Sequence, residues 1–329
     1  MKKIYFIVPT FRNSITGGSL YDYQVIKYLK KKHIRVSLIE VDHNISSLRI
    51  NKVIKSLPIK SKILIDGYLS SKLYKSSFSQ EIILLIHHPC TLENTDYILS
   101  DISLFFREKK SFSRAKKIIT VSKTIMKIIR NISNVHKDIF IAYPGIEKSY
   151  CNLVSTLNNN KMISIGNIIP RKGYHNLIEA LRNIEGDWEL NIVGNEKMNI
   201  KYYKMIKSKI ERYKLGSKIK FTGQTDDSKI KELISKSSIF ILPTRYEGFG
   251  MSIMECAAAG LEVITSDIPV LREVLKGLSV TFVNKDSISE LESTIKNKLI
   301  NKNIKLNRNV IEKYNWVNTA KEIKRAIYG

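Results

Sequence analysis

Cysteine is scarce in this chain. Cys90, Cys151 and Cys256 are the only three in 329 residues, and no two stand at a metal-ligand or disulfide spacing. A disulfide-stapled scaffold and a zinc module are thereby excluded, and the pattern suits a reducing compartment. Proline, at 7, is sparse, and no low-complexity tract interrupts the sequence. Long apolar runs are missing too: none approaches the roughly 18 residues that span a bilayer. The opening run Ile4-Tyr5-Phe6-Ile7-Val8 stops after five residues, too few for the core of a secretion signal and suited to a first buried strand. Negative charge is the last shortage, with 30 Asp and Glu against 55 Lys and Arg, a net +25.

That surplus is uneven, since residues 1–155 hold 26 of the basic and 11 of the acidic side chains. It favours anionic partners such as phospholipid headgroups, nucleic acid or a phosphorylated small molecule. It is equally what a chain rich in Lys, Asn and Ile carries by composition alone.

What is present is a regular alternation of apolar runs and amphipathic stretches, the pattern of βα units and parallel sheets. Strands are expected at 3–8, 35–40, 62–66, 81–87, 117–121 and 139–142, with helices over 20–32 and 96–115. After a linker at 148–160 a second series follows, with strands at 161–166, 189–193, 218–221, 238–242, 261–265 and 278–282. The spacing predicts two domains, 1–150 and 161–310, and a terminal segment 311–329 with an amphipathic helix. Two doubly wound domains facing each other would leave a cleft at the carboxyl ends of their strands, where such sheets bind ligands.

The densest chemistry lies in Thr244-Arg245-Tyr246-Glu247-Gly248-Phe249-Gly250-Met251-Ser252-Ile253-Met254-Glu255, between an apolar strand and the small-residue helix Cys256-Ala257-Ala258-Ala259. A glycine-bracketed turn into a helix leaves its first N–H groups unpaired, and with the helix dipole they favour an anion, most often phosphate. Glu247 and Glu255 frame the turn and suit hydroxyl-rich groups on either side of a diphosphate. This arrangement resembles the E-x7-E motif of the retaining family-4 glycosyltransferases, which have the GT-B fold. The match continues through Gly260–Pro269, similar to the family's Gly-x-Pro-Val strand, with Glu262 where the family has proline.

The resemblance implies roles for other residues. Gly166-Asn167-Ile168-Ile169-Pro170-Arg171-Lys172-Gly173 is similar to the family's Gly-Arg-x4-Lys-Gly loop, which holds the donor's diphosphate. Lys172 falls on the lysine, Asn167 replaces the arginine, and the neighbouring Arg171 is a candidate to restore the charge. Gly17-Gly18 looks like the family's N-terminal phosphate loop. His87, in Leu84-Leu85-Ile86-His87-His88-Pro89, falls on a histidine near the reacting sugar; a structural strand-end pair would read the same way. Histidine can hydrogen-bond hydroxyls and titrate near neutral pH. Glu93 is a candidate to face the acceptor. The carboxylates of Asp226-Asp227 suit a helix cap.

The expected activity is therefore retaining transfer of a sugar from a nucleotide diphosphate sugar to a hydroxyl acceptor on a glycan or lipid carrier, as in cell-surface glycan synthesis. The catalytic candidates are Glu247, Lys172 and His87. The donor-binding candidates are Gly17, Gly18, Asn167, Arg171, Gly248, Phe249, Gly250, Met251, Ser252 and Glu255. No Asp-x-Asp triplet occurs, so neither a metal nor a cofactor is expected, and the nucleotide sugar enters as substrate. The N-terminal domain would bind acceptor, the C-terminal one donor, and the last helix would brace the first. The basic stretches 46–62 and 107–117 would suit an anionic membrane surface from the cytoplasmic side. Two other readings stay open: an inactive nucleotide-sugar binder, prompted by Asn167 and Glu262, and a nucleic-acid-binding protein. No zinc finger, RNA-binding signature or aromatic platform supports the last.

Overall fold

A parallel strand covered on both faces has no reason to alternate polar and apolar residues. The central strands here accordingly read as unbroken aliphatic runs, and they fold as such. The computed structural model describes residues 3–10, 16–75, 78–92, 98–133, 138–153, 159–301 and 312–329, with backbone alone for 98–101. Glu93 and linker residues 154–158 lie outside the described residues. The chain forms two compact units, Met1–Gly145 with Tyr314–Gly329, and Ile146–Lys313.

The first unit carries β1 (Lys3–Pro9), β2 (Arg35–Val41), β3 (Lys62–Asp66), β4 (Glu81–Ile86), β5 (Lys117–Thr120) and β6 (Ile139–Ile141). All pair in parallel, in the order β2-β1-β3-β4-β5-β6. The crossovers include α1 (Gly17–Lys31), α2 (Ser47–Lys55), α3 (Ile98–Arg114) and α4 (Lys123–Ser133). The direction of winding reverses between β1 and β3, which makes their carboxyl ends the crevice where such a sheet takes ligands. Every β4 residue from Ile82 to Ile86 is buried.

The second unit carries β7 (Lys161–Ile165), β8 (Glu189–Val193), β9 (Ile219–Gly223), β10 (Ile239–Leu242), β11 (Glu262–Ser266) and β12 (Val280–Val283). Their order is β12-β11-β10-β7-β8-β9, again all parallel, with the reversal between β7 and β10. Its helices are α5 (Lys148–Cys151), α6 (Tyr174–Leu181), α7 (Ile200–Arg212), α8 (Asp227–Ser235), α9 (Met251–Ala258), α10 (Pro269–Val274) and α11 (Ile288–Ile300). Asp226 caps α8 by accepting the Lys229 N–H at 2.7 Å. Glu262, at the family's proline position, is buried in β11 and neutralised by Lys298 Nζ from α11 at 2.7 Å.

Residues 314–329 return to the first unit as α12 (Trp316–Tyr328). Its i, i+3, i+4 face of Ile323, Ala326 and Ile327 is fully buried, and α12 packs on α1. Trp316 meets Tyr21 edge-on with centroids 5.6 Å apart, and Thr319 Oγ1 donates to the Tyr143 carbonyl at 2.6 Å.

The two basic stretches expected to suit a membrane surface also place residues in the core. In α2 the apolar residues Ile50 and Ile54 are fully buried in the core, while Leu48 stays exposed. Within 107–117, Glu108 is fully buried in α3. It accepts the Cys90 N–H at 2.8 Å, the Thr91 N–H at 3.0 Å and the Thr91 hydroxyl at 2.5 Å. Its task is to hold the loop after β4.

The seating of α12 gives a direct check. A Cβ on Gly145 would stand 2.3 Å from the Trp316 nitrogen, whereas one on Gly216 meets nothing within 4 Å. Gly145→Ala is expected to lose about 1–3 kcal/mol in urea unfolding, and Gly216→Ala to stay within about 0.5 kcal/mol of the parent.

Candidate active site

In the second unit, two loops leave the carboxyl ends of β7 and β10, the neighbours at the winding reversal. They are joined by backbone: the Arg245 N–H donates to the Arg171 carbonyl at 2.8 Å. Thr244 Oγ1 donates to the same carbonyl at 3.2 Å. The approach is so close that a Cβ on Gly173 would lie 2.0 Å from the Pro243 oxygen, and Gly173 has φ +72° besides. Only glycine fits there.

That seam brings three charged side chains together. Lys172 Nζ lies 2.6 Å from Glu247 Oε1. Arg171 Nη1 lies 3.5 Å from Glu247 Oε2 and donates to the Tyr246 carbonyl at 2.6 Å. Glu247 is only 6% exposed. Burial alone would push its carboxyl up, but Lys172 and Arg171 outweigh it and hold the group below the usual carboxylate range. The result is a buried, ionised carboxylate with two cations on one side. The Arg171 Nε is buried without a hydrogen-bond partner.

Past Glu247 the chain turns through Gly248 and Gly250 into α9. Gly250 takes φ +89° at the N-cap, and no side chain caps the helix. The first N–H groups of α9 are therefore not consumed by a cap. The Phe249 ring is buried and anchors the turn. Ser252 Oγ donates to the Ile165 carbonyl at 2.9 Å, fastening α9 to the end of β7. Met251 opens the helix, half-buried. Asn167 is likewise occupied: its Oδ1 accepts the Asn195 N–H at 3.2 Å.

Glu255 sits one turn deeper in α9, in different company. Burial, Asp227 and Glu147 push its carboxyl up to about 8, against a smaller opposing pull from Lys231. Tyr150 donates its hydroxyl to Asp227 Oδ1 at 2.6 Å. The two motif glutamates thus have opposite electrostatics. Glu247 is held ionised, while Glu255 is held protonated at neutral pH.

In the first unit the candidates gather at the other winding reversal. Gly17 and Gly18 open α1, and a Cβ on Gly18 would stand 3.1 Å from His87 Cδ2. His87 follows β4 directly, with Nε2 at 3.2 Å from Asp22 Oδ1 and 3.3 Å from Asp66 Oδ2. Burial would lower the imidazole, but Asp22 and Asp66 outweigh it and raise it to about 10. His87 therefore does not titrate near neutral pH, contrary to what histidine's ordinary range suggests. His88 is half-buried beside it.

Asp22 and Asp66 are candidate-site residues that sequence reasoning missed. Each left a signal. Asp66 is a lone carboxylate closing an apolar strand, and Asp22 interrupts the buried stripe of α1 formed with Tyr21, Val25 and Leu29. Such positions carry a charge only when a partner waits.

Comparison with known proteins accords with this geometry. Residues 152–316, half of the chain, match the family described as glycosyl transferases group 1. A glycosyltransferase of Methanocaldococcus jannaschii, itself uncharacterised, is 25% identical over 64% of this chain and 58% of its own. The O-antigen chain mannosyltransferase of Salmonella typhimurium is 30% identical over 42% of this chain and 38% of its own. The chain thus spans about half the length, or less, of these curated relatives. An Anabaena protein solved in complex with UDP and glucose superposes with a TM-score of 0.72 at 16% identity, covering 98% of this chain and 95% of that one. That likeness, over nearly the whole chain, identifies the two parallel sheets as the GT-B fold.

Two outcomes follow. A double-mutant cycle on Lys172 and Glu247 is expected to give a coupling of about 1–3 kcal/mol by denaturant unfolding, since both groups are largely withdrawn from water. Glu255 keeps a proton in the folded state that the unfolded chain has lost above about pH 4.5. Its contribution to stability therefore declines as pH rises from there through about 8. Glu255→Gln should melt with the parent near pH 4.5 and above it at pH 8.5.

Proposed function

The chain belongs to the glycosyl transferases group 1 family, and on that premise we propose that it moves a sugar, with retention, from a nucleotide diphosphate sugar to a hydroxyl acceptor. The observation that carries this reading is the buried Lys172–Glu247 pair at the winding reversal of the second sheet.

The chemical demand is to part a diphosphate from an anomeric carbon that becomes cation-like. Charge stabilisation on the leaving group is the dominant requirement. Lys172, ion-paired with Glu247, places a cation beside that carboxylate where an incoming phosphate would meet it. Arg171 supplies the second cation, in place of the arginine that Asn167 does not provide. The N–H groups of Met251 and Ser252, at the start of α9, where no side chain caps the helix, add the positive end of a helix dipole. Glu247 then addresses the sugar hydroxyls and Glu255 the ribose; the family resemblance gives Gly17, Gly18 and His87 a part in binding substrate as well.

In the step itself the bond from the anomeric carbon to the phosphate oxygen breaks, its electron pair leaving with the diphosphate. The acceptor oxygen bonds to the same face of that carbon, and the acceptor's proton passes to the departing phosphate oxygen. Two fixed cations supply the charge that a divalent metal would otherwise bring, so the transfer is metal-independent.

UDP-hexoses are the first donors to test, because UDP and glucose occupy the Anabaena protein, and nucleotide diphosphate mannoses the second, from the mannosyltransferase relative. The O-antigen relative also supports an acceptor in cell-surface glycan synthesis. Among the described residues no helix is long and apolar enough to cross a membrane. Leu48 and Ile59, 73% and 70% exposed, lie among the exposed Arg49, Lys52, Lys55 and Lys60. They support a lipid-linked acceptor met at the cytoplasmic face of an anionic membrane.

The test is donor turnover after a thermal-shift screen of nucleotide sugars. Lys172→Ala and Glu247→Ala should each reduce turnover about 10²–10³-fold with circular dichroism unchanged, and EDTA should leave the parent rate intact. Near-parental transfer by both variants would refute the reading.

A further inference from the structure

His87 enters the reaction above by resemblance, yet its surroundings specify more than its position. Three elements meet around its ring at the winding reversal of the first sheet. Asp22 comes from the second turn of α1, Asp66 from the last position of β3, and His87 follows β4. Both carboxyls are withdrawn from solvent, 3% and 2% exposed. Asp66 Oδ1 accepts the Tyr68 N–H at 2.6 Å, which fixes its plane. Tyr21 meets the imidazole edge-on, ring centroids 5.1 Å apart, and Gly18 closes another side.

Two carboxyl oxygens within 3.2 and 3.3 Å of one ring nitrogen settle what that nitrogen carries. Nε2 holds a proton, because a lone pair there would face both oxygens repulsively. Nδ1 makes no hydrogen bond with any described residue. We propose that Asp22 and Asp66 are positioning residues that clamp His87 as an imidazolium, so that its Nδ1–H is a fixed cationic hydrogen-bond donor to an oxygen of the bound sugar substrate and never the base that takes the acceptor's proton.

The charges of the cluster agree with this. Burial and the neighbouring Asp66 push Asp22 up. Its Oδ2 is buried without a partner, a place where a proton costs less than a bare negative charge. For Asp66, burial is outweighed by His87, with help from Asp22 and the Tyr68 N–H, and the group is held below its usual value. One imidazolium, one carboxylate and one neutral acid sum to no net charge, which lets three ionisable groups share so dry a site. The other titratable group against the ring, Tyr21, donates to the Ala142 carbonyl at 2.8 Å. Burial and Asp22 push its phenol far up, so it stays neutral.

The consequence for catalysis rests on the glycosyl-transfer reading; the clamp does not, and it is tested without substrate. Imidazole ¹⁵N–¹H correlation spectra of the full ¹⁵N-labelled chain are recorded from pH 5.5 to 9.5, with His87→Gln identifying the ring among six histidines. In the parent, both His87 nitrogens should remain protonated at about pH 8, where an ordinary imidazole is neutral. Asp66→Asn should bring the midpoint down by about two pH units, Asp66→Glu should recover most of it, and Asp22→Asn should lower it less. Melting curves at pH 6 check that each variant folds, and Asp22→Asn carries the test alone if Asp66→Asn does not.

A parent midpoint near 6.5, or one unmoved by either asparagine, overturns the proposal. So does a stoichiometric metal whose removal by EDTA shifts the ring signals, since these three side chains also bring one ligand atom each to within 4.8 Å of one another. An intact clamp in a protein that transfers no sugar would refute the function proposed above and leave the imidazolium clamp standing without its catalytic consequence.

Discussion

The ion pair between Lys172 and Glu247 is the contact on which the chemistry proposed for the second unit turns. Its two members leave different strands, 75 residues apart in sequence, and meet at 2.6 Å with little exposure to water. A carboxylate at this depth remains ionised only because two cations stand beside it, and the cations remain ordered because the carboxylate does. Removing either leaves an uncompensated buried charge, which is far more costly than the intact pair is stabilising. The backbone seam from Arg171 to Arg245 and the close approach at Gly173 hold both loops in the register that this pairing needs.

The first unit meets the same constraint differently. Its winding reversal also collects ionisable side chains at the carboxyl ends of parallel strands, but one imidazole stands between two carboxyls. Proton sharing, not pairing with a second cation, brings that cluster to neutrality. The chain's departures from its family follow the same rule. Glu262, where the family has proline, is neutralised by Lys298, and Asn167, where the family has arginine, hydrogen-bonds the Asn195 backbone. In each case the unusual side chain has a local partner and does not stand as an unpaired defect.

The strands were the most legible part of the sequence. Twelve expected runs correspond to the twelve strands among the described residues, and the central ones read most clearly because a doubly covered parallel strand is apolar throughout. Edges were less legible: β9 begins at Ile219 and extends to Gly223, past the expected end at 221, since a strand's last pairings depend on its neighbour. The glycine turn before α9 could be read because unpaired helix N–H groups and left-handed backbone impose their own residue types. Amphipathic patterns were less legible, since an apolar stripe has two conceivable destinations. Ile50 and Ile54 of α2 face the core and not a bilayer, and Glu108, amid basic neighbours, is a buried loop anchor.

Sequence alone determined the βα alternation, the glycine turn between Glu247 and Glu255, and the family, because these depend on contacts between near neighbours and on residue types that local backbone geometry demands. Tertiary structure decided the charge states. Which glutamate is ionised, whether a histidine is a base or a permanent cation, and that Asp22 and Asp66 belong to a site at all depend on depth and on partners from distant strands. The free energy of a buried charge is set by what surrounds it in space, and residue order along the chain does not contain that.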